Sequence, residues 1–545
     1  MSRTPARDLV TPQRVADGLT RALEVQWVGG RLYWLEVRPR EGGRCVVVTL
    51  AEDGVAKTLT PPDFNVRSVV HGLGGAAWRA FEGGVVFNDL STGAVMLQAR
   101  GEPPRPLATP PGPCADFVWD HHRARVLAIC EIRDEEGRVG DELVAITRQS
   151  VVRLGLRADF LAYPAISPDG AGLAVTAWSE GSMPWERSRL LTARFDKTGR
   201  LGALEVPLDD PDTSVSEPHW SADGALHALA ETDEWRNVRR LSPPDPVRFA
   251  VEGECGRPLW ELGQTNYVVT DAGEVIARCG RHGRDLIGAS WDRAPCLARL
   301  SLKTRAVDVV HEPETPLLER ARLRPPMRIA FCARDGGEVD GLLFDALDLD
   351  APAGLIIELH GGPTAEAQGI LDPDTLFWTA QGFAVLHLNY RGSCGAGRSH
   401  RRALDGGWGE RDVADVVDAV AAMALRGFAT ERTIVRGSSA GGFTVLGAMA
   451  SPDGPRIGID RFGPSDLLQL ARQTHRFEAR YIDSLVAPLP HGAALYRARS
   501  PLTKANALRG DLLILQGSRD EVVPRAQSIA IAEAATNARV TLLEF

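Results

Sequence analysis

The chain has 545 residues and a mass of 58.9 kDa, too long for one hydrophobic core, so we expect two or three domains. Hydrophobic residues make up 44% and charged residues 24% of the chain, which is typical of a soluble globular protein. The formal net charge of -9 argues against a nucleic-acid partner or an anionic membrane surface as partner.

The N-terminal segment and the cysteines indicate where in the cell the protein is located. Residues 1–18 are polar, so we expect no secretory signal, and no apolar stretch is long enough for a membrane-spanning helix. The eight cysteines are dispersed without C-x-x-C spacing. This favours reduced thiols in a cytoplasmic protein over a disulfide framework or a zinc site. We expect neither a metal nor a cofactor.

Short apolar or alternating runs dominate the sequence from about residue 27 to residue 310. Asp-Gly, Gly-Gly and Pro-Asp turns separate these runs, and long helical periodicity is hard to find. Regular short strands with turn signals predict an all-β sandwich, barrel or propeller. Examples of such runs are residues 31–35, 45–50, 84–87, 125–129, 173–178 and 267–269.

A weak repeat favours the propeller. The turn Ser167-Pro168-Asp169-Gly170 recurs as Ser221-Ala222-Asp223-Gly224, and in each copy a strand-like run follows. The offset of 54 residues is close to one four-stranded blade. Two unrelated hairpins would give the same signal.

The pattern changes to α/β after Arg324-Pro325-Pro326. Near-continuous apolar runs alternate with helical periodicity, which is clearest over residues 413–424. This arrangement predicts a parallel sheet covered on both faces, with a site at the carboxyl ends of the strands. The buried-strand candidates are residues 355–359, 384–388, 433–435, 512–515 and 540–543.

A nucleophile elbow of the form G-x-S-x-G follows the strand at residues 433–435. It reads Gly437-Ser438-Ser439-Ala440-Gly441 and leads into the small-residue start of a helix. Glycines on both sides allow a turn tight enough to expose the Ser439 hydroxyl above the sheet edge. The pattern predicts a serine hydrolase, although five-residue patterns also occur by chance.

Two further loops support this interpretation. His360-Gly361-Gly362-Pro363 follows the strand at residues 355–359, where a backbone N–H contributes to an oxyanion hole. The second N–H comes from the residue after the nucleophile, Ala440. We assign His360 a structural role, since it is better placed to hold the loop than to transfer protons.

A candidate triad acid lies on the loop after the strand at residues 512–515. Asp520 follows the nucleophile in the chain, in the order Ser, Asp, His of this fold. Glu521 is the local competitor, and we prefer Asp520 because it lies closer to the strand end.

These residues resemble the prolyl oligopeptidase family, within it the acylaminoacyl-peptidase and dipeptidyl-peptidase branch. The resemblance covers nearly the whole chain and implies a seven-bladed propeller over residues 1–322 and an α/β-hydrolase domain over residues 323–545. It also implies a serine peptidase that cleaves short peptides, with Ser439 as nucleophile, Asp520 as acid, and Gly362 and Ala440 as oxyanion-hole donors. The matching motifs are His360 to Pro363, Asn389-Tyr390-Arg391-Gly392-Ser393, Trp408-Gly409 with Asp412 and Asp415, Gly437 to Gly442, His475-Arg476-Phe477-Glu478 with Tyr481, and Leu515-Gln516-Gly517 to Pro524.

The sequence departs from the family pattern in two places. His71-Gly72-Leu73-Gly74-Gly75 stands where many relatives have His-Glu-Tyr-Gly-Gly. The family's catalytic histidine follows the last strand, whereas this sequence ends at Phe545, so we expect a hydrolase domain truncated at its C-terminus and a poor catalyst. After Ser439 only His475 and His491 remain, and we expect a structural role for both.

Three functional hypotheses remain open at this point. The first is a serine peptidase of the acylaminoacyl or dipeptidyl type that forms an acyl-enzyme on Ser439. The second is an esterase on the same scaffold, because acyl-enzyme chemistry accepts esters as well as amides. The third is a catalytically impaired or dead propeller–hydrolase that binds peptides. The sequence also leaves open a homo-oligomer.

Overall fold

The computed structural model describes residues 5–16, 20–51, 54–208, 210, 212–241, 247–248, 253–270, 275–277, 279–280, 288–300, 303–304, 306–311, 318–349 and 351–545. The chain forms two compact units. One comprises Asp17–Gly280 and Pro295–Glu314, and the other comprises Met1–Ala16, Arg281–Ala294 and Thr315–Phe545.

Five antiparallel sheets follow one another along the first of these units. Four have four strands and one has three. The strands of the five sheets are, in order, β1 (Arg21–Val28), β2 (Arg31–Arg38), β3 (Arg44–Leu50) and β4 (Ala56–Thr58); β5 (Trp78–Phe81), β6 (Gly84–Asn88), β7 (Val95–Ala99) and β8 (Arg105–Ala108); β9 (Cys114–Asp120), β10 (Arg125–Arg133), β11 (Val139–Ile146) and β12 (Val151–Ala158); β13 (Phe160–Ile166), β14 (Gly172–Trp178) and β15 (Arg189–Arg194); and β16 (Ser214–Trp220), β17 (Leu226–Glu231), β18 (Arg236–Arg240) and β19 (Val247–Arg248).

Consecutive sheets pack face to face, and the first strands of neighbouring sheets lie side by side. Apolar side chains fill each interface: Tyr33 and Val47 of the first sheet meet Phe87 of the second. Leu127 of the third sheet likewise meets Val175 of the fourth. Successive side chains of a strand point to opposite faces of its sheet, so both faces of a blade can present apolar side chains to the neighbouring blades. The unit is a β-propeller, as the sequence predicted.

The blade number differs from the seven that the resemblance implied. Among the described residues five blades are formed, and two sheets of two strands and one sheet of three strands follow them. The number seven was wrong because it came from the family and not from the sequence, where only two copies of the hairpin repeat are evident. The later sheets consist of β20 (Glu254–Cys255), β21 (Tyr267–Val269), β22 (Val275–Ala277), β23 (Cys279–Gly280), β24 (Gly288–Ser290), β25 (Arg293–Leu300) and β26 (Val307–His311).

The 54-residue repeat corresponds to the same turn in two successive blades, between β13 and β14 and between β16 and β17. Ser167 Oγ donates to Asp169 Oδ1 at 2.5 Å, and Ser221 Oγ donates to Asp223 Oδ1 at 2.5 Å. Each aspartate also accepts the backbone N–H two residues on. The two hairpins are therefore equivalent pieces of the propeller, not a coincidence.

Disulfide bonding in the propeller unit differs from the expected reduced thiols. Cys114 and Cys130 form a disulfide between β9 and β10. They stand directly opposite each other in the antiparallel register, which places both sulfur atoms on the same face. Spacing along the chain could not reveal this pairing, because 16 residues separate the two positions.

The second unit is built on one eight-stranded sheet, in the order β27-β28-β30-β29-β31-β32-β33-β34. The six strands from β29 to β34 run parallel to one another. Strand β28 pairs antiparallel with both of its neighbours, β27 and β30. The strands are β27 (Met327–Cys332), β28 (Glu338–Phe344), β29 (Gly354–Leu359), β30 (Phe383–Asn389), β31 (Thr433–Ser438), β32 (Ile457–Arg461), β33 (Gly510–Gln516) and β34 (Ala538–Glu544).

The helices of the described residues belong mainly to this unit, and none is long and apolar enough to cross a bilayer. They are α1 (Ala6–Leu9), α2 (Pro12–Ala16), α3 (Pro373–Ala380), α4 (Arg398–Arg402), α5 (Arg411–Ala424), α6 (Ala440–Met449), α7 (Leu467–Gln473), α8 (Tyr481–Leu485), α9 (Ala493–Arg499) and α10 (Ala526–Ala534). Four 3-10 turns cover Pro39–Glu41, Arg320–Arg322, Thr430–Arg432 and Pro501–Ala507.

The predicted α/β pattern is confirmed. All five buried-strand candidates lie on strands of the sheet, and the predicted helix over residues 413–424 is α5. The central strands are buried because helices cover the sheet: Ile357 of β29 and Val435 of β31 are fully buried among Val416 and Val420 of α5 and Leu446 of α6. Sheet and helices together form an α/β-hydrolase domain.

The N-terminal helices group with this α/β unit. Ala6 and Val10 pack against Leu347, Leu376 and Ala380, which lie on the loop after β28 and on α3. The single boundary that we placed between residues 322 and 323 stays a prediction. The N-terminal residues nevertheless contribute to the hydrolase core and not to a blade.

The central strand β29 carries a prediction about stability. Replacement Ile357→Ala should lower the free energy of unfolding by about 2–5 kcal/mol, because it opens a cavity in a closely packed core. Leu425→Ala is the control, since Leu425 is 92% exposed and should change stability by less than about 0.5 kcal/mol. Urea denaturation measures both variants, and equal effects would contradict the assignment of β29 to the core.

Candidate active site

Ser439 occupies a strained turn between β31 and α6. Its backbone has φ of 52° and ψ of -120°, a conformation that costs a non-glycine residue about 1–3 kcal/mol. Two hydrogen bonds hold it: Ser439 N–H donates to the Arg461 carbonyl at 2.9 Å, and the Ser439 carbonyl accepts from Phe443 N–H at 3.0 Å. The turn places Ser439 at the carboxyl end of a central strand, as the elbow predicted.

The glycines of the elbow are required by close backbone contacts. A Cβ atom at Gly437 would lie 2.5 Å from the carbonyl carbon of Gly441. A Cβ atom at Gly441 would lie 2.4 Å from the carbonyl oxygen of Leu359, at the end of β29. Neither contact is tolerable, so the strand, the turn and the neighbouring loop can approach only without side chains.

The loop after β29 lies against this turn. A Cβ atom at Gly361 would lie 3.5 Å from Cβ of Ser439, and Gly362 lines the same cleft as Ser439 and Ala440. Gly362 has φ of 120°, which favours glycine. The structure therefore brings together the predicted nucleophile and both residues assigned to the oxyanion hole.

His360 holds the loop in place. Its ring stacks on Tyr390, its Nε2 lies 2.7 Å from Ser393 Oγ, and its carbonyl accepts a hydrogen bond from the Tyr390 hydroxyl. Burial lowers the pKa of His360 to about 4, so the ring is neutral near pH 7. This fits the structural role that the sequence suggested.

Asp520 lies on the loop after β33. Its Oδ1 accepts the backbone N–H groups of Val522 and Val523, each at 2.9 Å. No described residue hydrogen-bonds its other oxygen, which is free to orient a partner. The competitor Glu521 is exposed to solvent. These two hydrogen bonds fix the carboxylate of Asp520 within the loop. Val522 and Val523 of the same loop line the cleft beside Ser439.

The cleft beside Ser439 is open to solvent. Its walls are mainly apolar and come from the elbow, the loop after β29, α7, α8, the loop before α5 and the loop after β33. The lining residues are Gly362, Trp408, Ser439, Ala440, Pro464, Leu470, Ala471, Thr474, Glu478, Tyr481, Ile482, Leu485, Val522 and Val523.

Buried polar contacts fix one wall of the cleft. Asp412 at the start of α5 accepts from Gly409 N–H at 2.7 Å and from the Thr444 hydroxyl of α6 at 2.6 Å. Burial raises the pKa of Asp412 to about 6, against these two hydrogen bonds. The neighbouring Trp408 N–H donates to the Leu485 carbonyl at 3.1 Å. Asp412 therefore ties the elbow helix to the loop that carries Trp408.

Two histidines follow Ser439 in the sequence. His491 is exposed. His475 lies beside the cleft, with Nε2 3.3 Å from Glu478 Oε2, but it is not among the lining residues. Among the described residues, no three His, Cys, Asp or Glu side chains are arranged to hold a metal ion.

Asp460 of β32 lies directly under the elbow helix. Its Oδ1 accepts from Gly463 N–H at 2.8 Å, and a Cβ atom at Gly442 would lie 2.2 Å from that oxygen. Its other oxygen is buried without a described partner. Burial raises the pKa of Asp460 to about 7. The elbow thus rests on a carboxyl group that is largely neutral in mildly acidic solution.

The sequence alone predicted neither α7 nor α8 as a wall of the cleft. Trp408, Glu478 and Tyr481 were evident only as parts of the motifs that resemble the family. Apolar residues at helical spacing, such as Tyr481, Ile482 and Leu485, were the available signal. Which face of so short a helix meets the cleft depends on contacts that the local sequence does not contain.

Comparison with known proteins identifies the hydrolase unit. Residues 371–545 match the prolyl oligopeptidase family. Dipeptidyl aminopeptidase BIII of Pseudoxanthomonas mexicana is 33% identical over 247 residues, which cover 42% of this chain and 36% of that protein. Acylamino-acid-releasing enzyme 2 of Oryza sativa subsp. japonica is 26% identical over 33% of this chain and 25% of that protein. Residues 371–545 are therefore similar to the prolyl oligopeptidase family, and the chain spans about a third or less of each of these two proteins.

Solved structures extend the similarity over the whole chain. A puromycin-hydrolyzing peptidase of Mycobacterium tuberculosis superposes with a TM-score of 0.90 at 28% identity, covering 100% of this chain and 92% of that one. A puromycin hydrolase superposes with a TM-score of 0.88 at 27% identity over the same shares. The family's peptidases use serine as nucleophile, which agrees with the elbow at Ser439.

The close contact at Gly441 carries a testable prediction. Gly441→Ala should push the elbow away from β29, lower the free energy of unfolding by about 1–3 kcal/mol and slow labelling of Ser439 by a fluorophosphonate. Gly369→Ala is the control, because the nearest heavy atom to its added Cβ would lie at 3.7 Å. Unchanged labelling of the Gly441 variant would show that the elbow tolerates a side chain there.

The buried carboxyl of Asp460 carries a prediction about pH. The folded protein keeps this proton up to a pKa of about 7, whereas the unfolded chain loses it near pH 4. Asp460 therefore lowers the stability of the folded state progressively as pH rises from about 4 to about 7. The stability of Asp460→Asn relative to the native chain should rise over the same range.

Urea denaturation at pH 4.5, 6 and 7.5 measures this difference. The exposed Asp453→Asn is the control and should show no such trend. A difference between Asp460→Asn and the native chain that does not vary with pH would show that Asp460 is ionised throughout.

Proposed function

We propose that this protein is a serine peptidase that cleaves short peptides through an acyl-enzyme on Ser439. The observation that carries the proposal is the turn of Ser439, held at φ of 52° and opening into a cleft together with Gly362 and Ala440. The turn lies within the segment that matches the prolyl oligopeptidase family.

In the proposed reaction, Ser439 Oγ attacks the carbonyl carbon of the scissile peptide bond. The carbonyl oxygen gains negative charge, which the backbone N–H groups of Gly362 and Ala440 stabilise. Ala440 is also the first residue of α6, whose N-terminal N–H groups and dipole favour an anion. The C–N bond then breaks, the amine leaves with a proton, and water hydrolyses the acyl-enzyme.

The serine proton must pass to a base during the attack. Asp520 is proposed to orient that base and to stabilise its charged form. The support is its fixed position: Val522 and Val523 hold one carboxylate oxygen and leave the other unpaired in the described structure. The proposal assigns the role of base to neither His475 nor His491.

The similar proteins suggest the kinds of substrate. Their names describe dipeptidyl aminopeptidase, acylamino-acid-releasing and puromycin-hydrolysing activities. We therefore propose cleavage of short peptides of the dipeptidyl or acylaminoacyl type. A cytoplasmic location is part of the same proposal, although the Cys114–Cys130 disulfide departs from the reduced thiols on which it was based.

Two alternatives make different predictions. An esterase would turn over acyl esters and leave the matched amides intact. A catalytically impaired protein would bind peptides and leave them intact, and its Ser439 would not react with fluorophosphonates. The strained conformation of Ser439 favours an active enzyme over a catalytically impaired protein, because the strain has no evident structural role.

The nucleophile assignment is tested by variants of the two adjacent serines. Ser439→Ala should abolish fluorophosphonate labelling and lower the kcat that the native chain shows on acyl-alanyl and aminoacyl nitroanilides. Ser438→Ala is the matched control and should retain both. Labelling that persists in the Ser439 variant would refute the assignment, and turnover of esters alone would favour the esterase.

A further inference from the structure

The cleft beside Ser439 contains a single acidic side chain. Of the fourteen lining residues, Glu478 alone carries a carboxylate, and none is Lys, Arg or His. Its neighbours in the cleft include Leu470, Ile482 and Leu485, which cannot pair with a charge. Glu478 is therefore the residue that sets the charge of this cleft.

One oxygen of Glu478 is occupied and the other is not. Oε2 accepts from the Thr474 hydroxyl at 3.3 Å and lies 3.3 Å from His475 Nε2. No described residue pairs with Oε1. The side chain is 22% exposed, so solvent reaches it only in part. The nearby phenol of Tyr481 is already paired with the Thr364 hydroxyl at 2.6 Å.

We propose that Glu478 binds a positively charged amino or guanidinium group of the substrate. The inference rests on the proposed peptidase function, because it takes the cleft beside Ser439 as the substrate site. A half-buried carboxylate with one unpaired oxygen is stabilised by a cationic donor, and a charge-assisted hydrogen bond there is stronger than one in open water. The apolar walls would pack around the carbon atoms next to that charge.

Two groups of a peptide carry this chemistry. One is the α-ammonium group of an unblocked N-terminal residue. The other is the side chain of lysine or arginine, whose methylene groups would contact the apolar walls. Both place a cation at Glu478 Oε1, and matched ligands distinguish them.

The structural alternative is that Glu478 serves only to hold His475 and Thr474. In that case its charge contributes to the stability of the segment before α8 and not to ligand choice. Cationic and neutral ligands of the same shape would then bind equally well, and loss of the charge would change the affinities for both alike.

Calorimetric binding tests the inference without depending on turnover. The parent is the full chain with Ser439→Ala, so that the ligands stay intact. The first ligand pair is N-acetyl-alanyl-lysine amide and N-acetyl-alanyl-norleucine amide. The second pair is leucyl-alanine amide and its N-acetylated form. The variants compared with the parent are Glu478→Gln and, as a charge-matched control on the exposed face of α10, Glu533→Gln.

The parent should bind the cationic member of at least one pair roughly 10- to 100-fold more tightly than the neutral member. Glu478→Gln should abolish that preference, while Glu533→Gln should retain it. A preference confined to the first pair assigns the cation to a side chain, and one confined to the second pair assigns it to the N-terminus.

Equal binding of cationic and neutral ligands by the parent would overturn the inference, as would a preference that survives in a folded Glu478→Gln. If that variant does not fold, the parent's preference and its weakening by salt decide the question. A different result would refute the proposed peptidase function, namely the absence of fluorophosphonate labelling at Ser439 in the native chain.

Discussion

The close approach of three backbone segments at Ser439 is the constraint on which the candidate site depends. Gly437 and Gly441 let the end of β31, the turn and the end of β29 come together without side chains between them. This contact holds Ser439 in its strained conformation and sets the loop of Gly362 beside it. The reactive group is therefore positioned by packing of main chain on main chain, which leaves little freedom to move.

Buried polar groups transmit this geometry to the walls of the cleft. Asp412 joins the elbow helix to the loop of Trp408, and Asp460 supports the same helix from β32. Arg391 pairs with Asp415 and Asp335, and these contacts hold the loop after β30 against α5. Buried ion pairs of this kind contribute little net stability to the fold. They do require one particular geometry, because a buried charge without its partner is strongly destabilising. Asp412, Asp415 and Arg391, which belong to the motifs that resemble the family, thus fix loops.

The cleft combines apolar walls with one carboxylate, and the combination matters for recognition. Apolar contacts alone distinguish ligands weakly, because one methylene changes the binding free energy by about 1–3 kcal/mol. A single charge in such a setting selects strongly, since an unmatched partner leaves it poorly solvated. Glu478 therefore has more influence on ligand choice than its small share of the cleft suggests.

The sequence by itself determined the two kinds of fold, the strands of the hydrolase sheet and the position of Ser439, because these depend on local patterns. Alternating and continuous apolar runs specify strands, and glycines at fixed spacing specify a tight turn. It did not determine the number of blades, the Cys114–Cys130 pair or the walls of the cleft. These depend on which distant segments become neighbours: Glu478 lines the cleft of Ser439 only because α7 and α8 fold back over the elbow. That proximity arises from tertiary packing, which no window of the sequence contains.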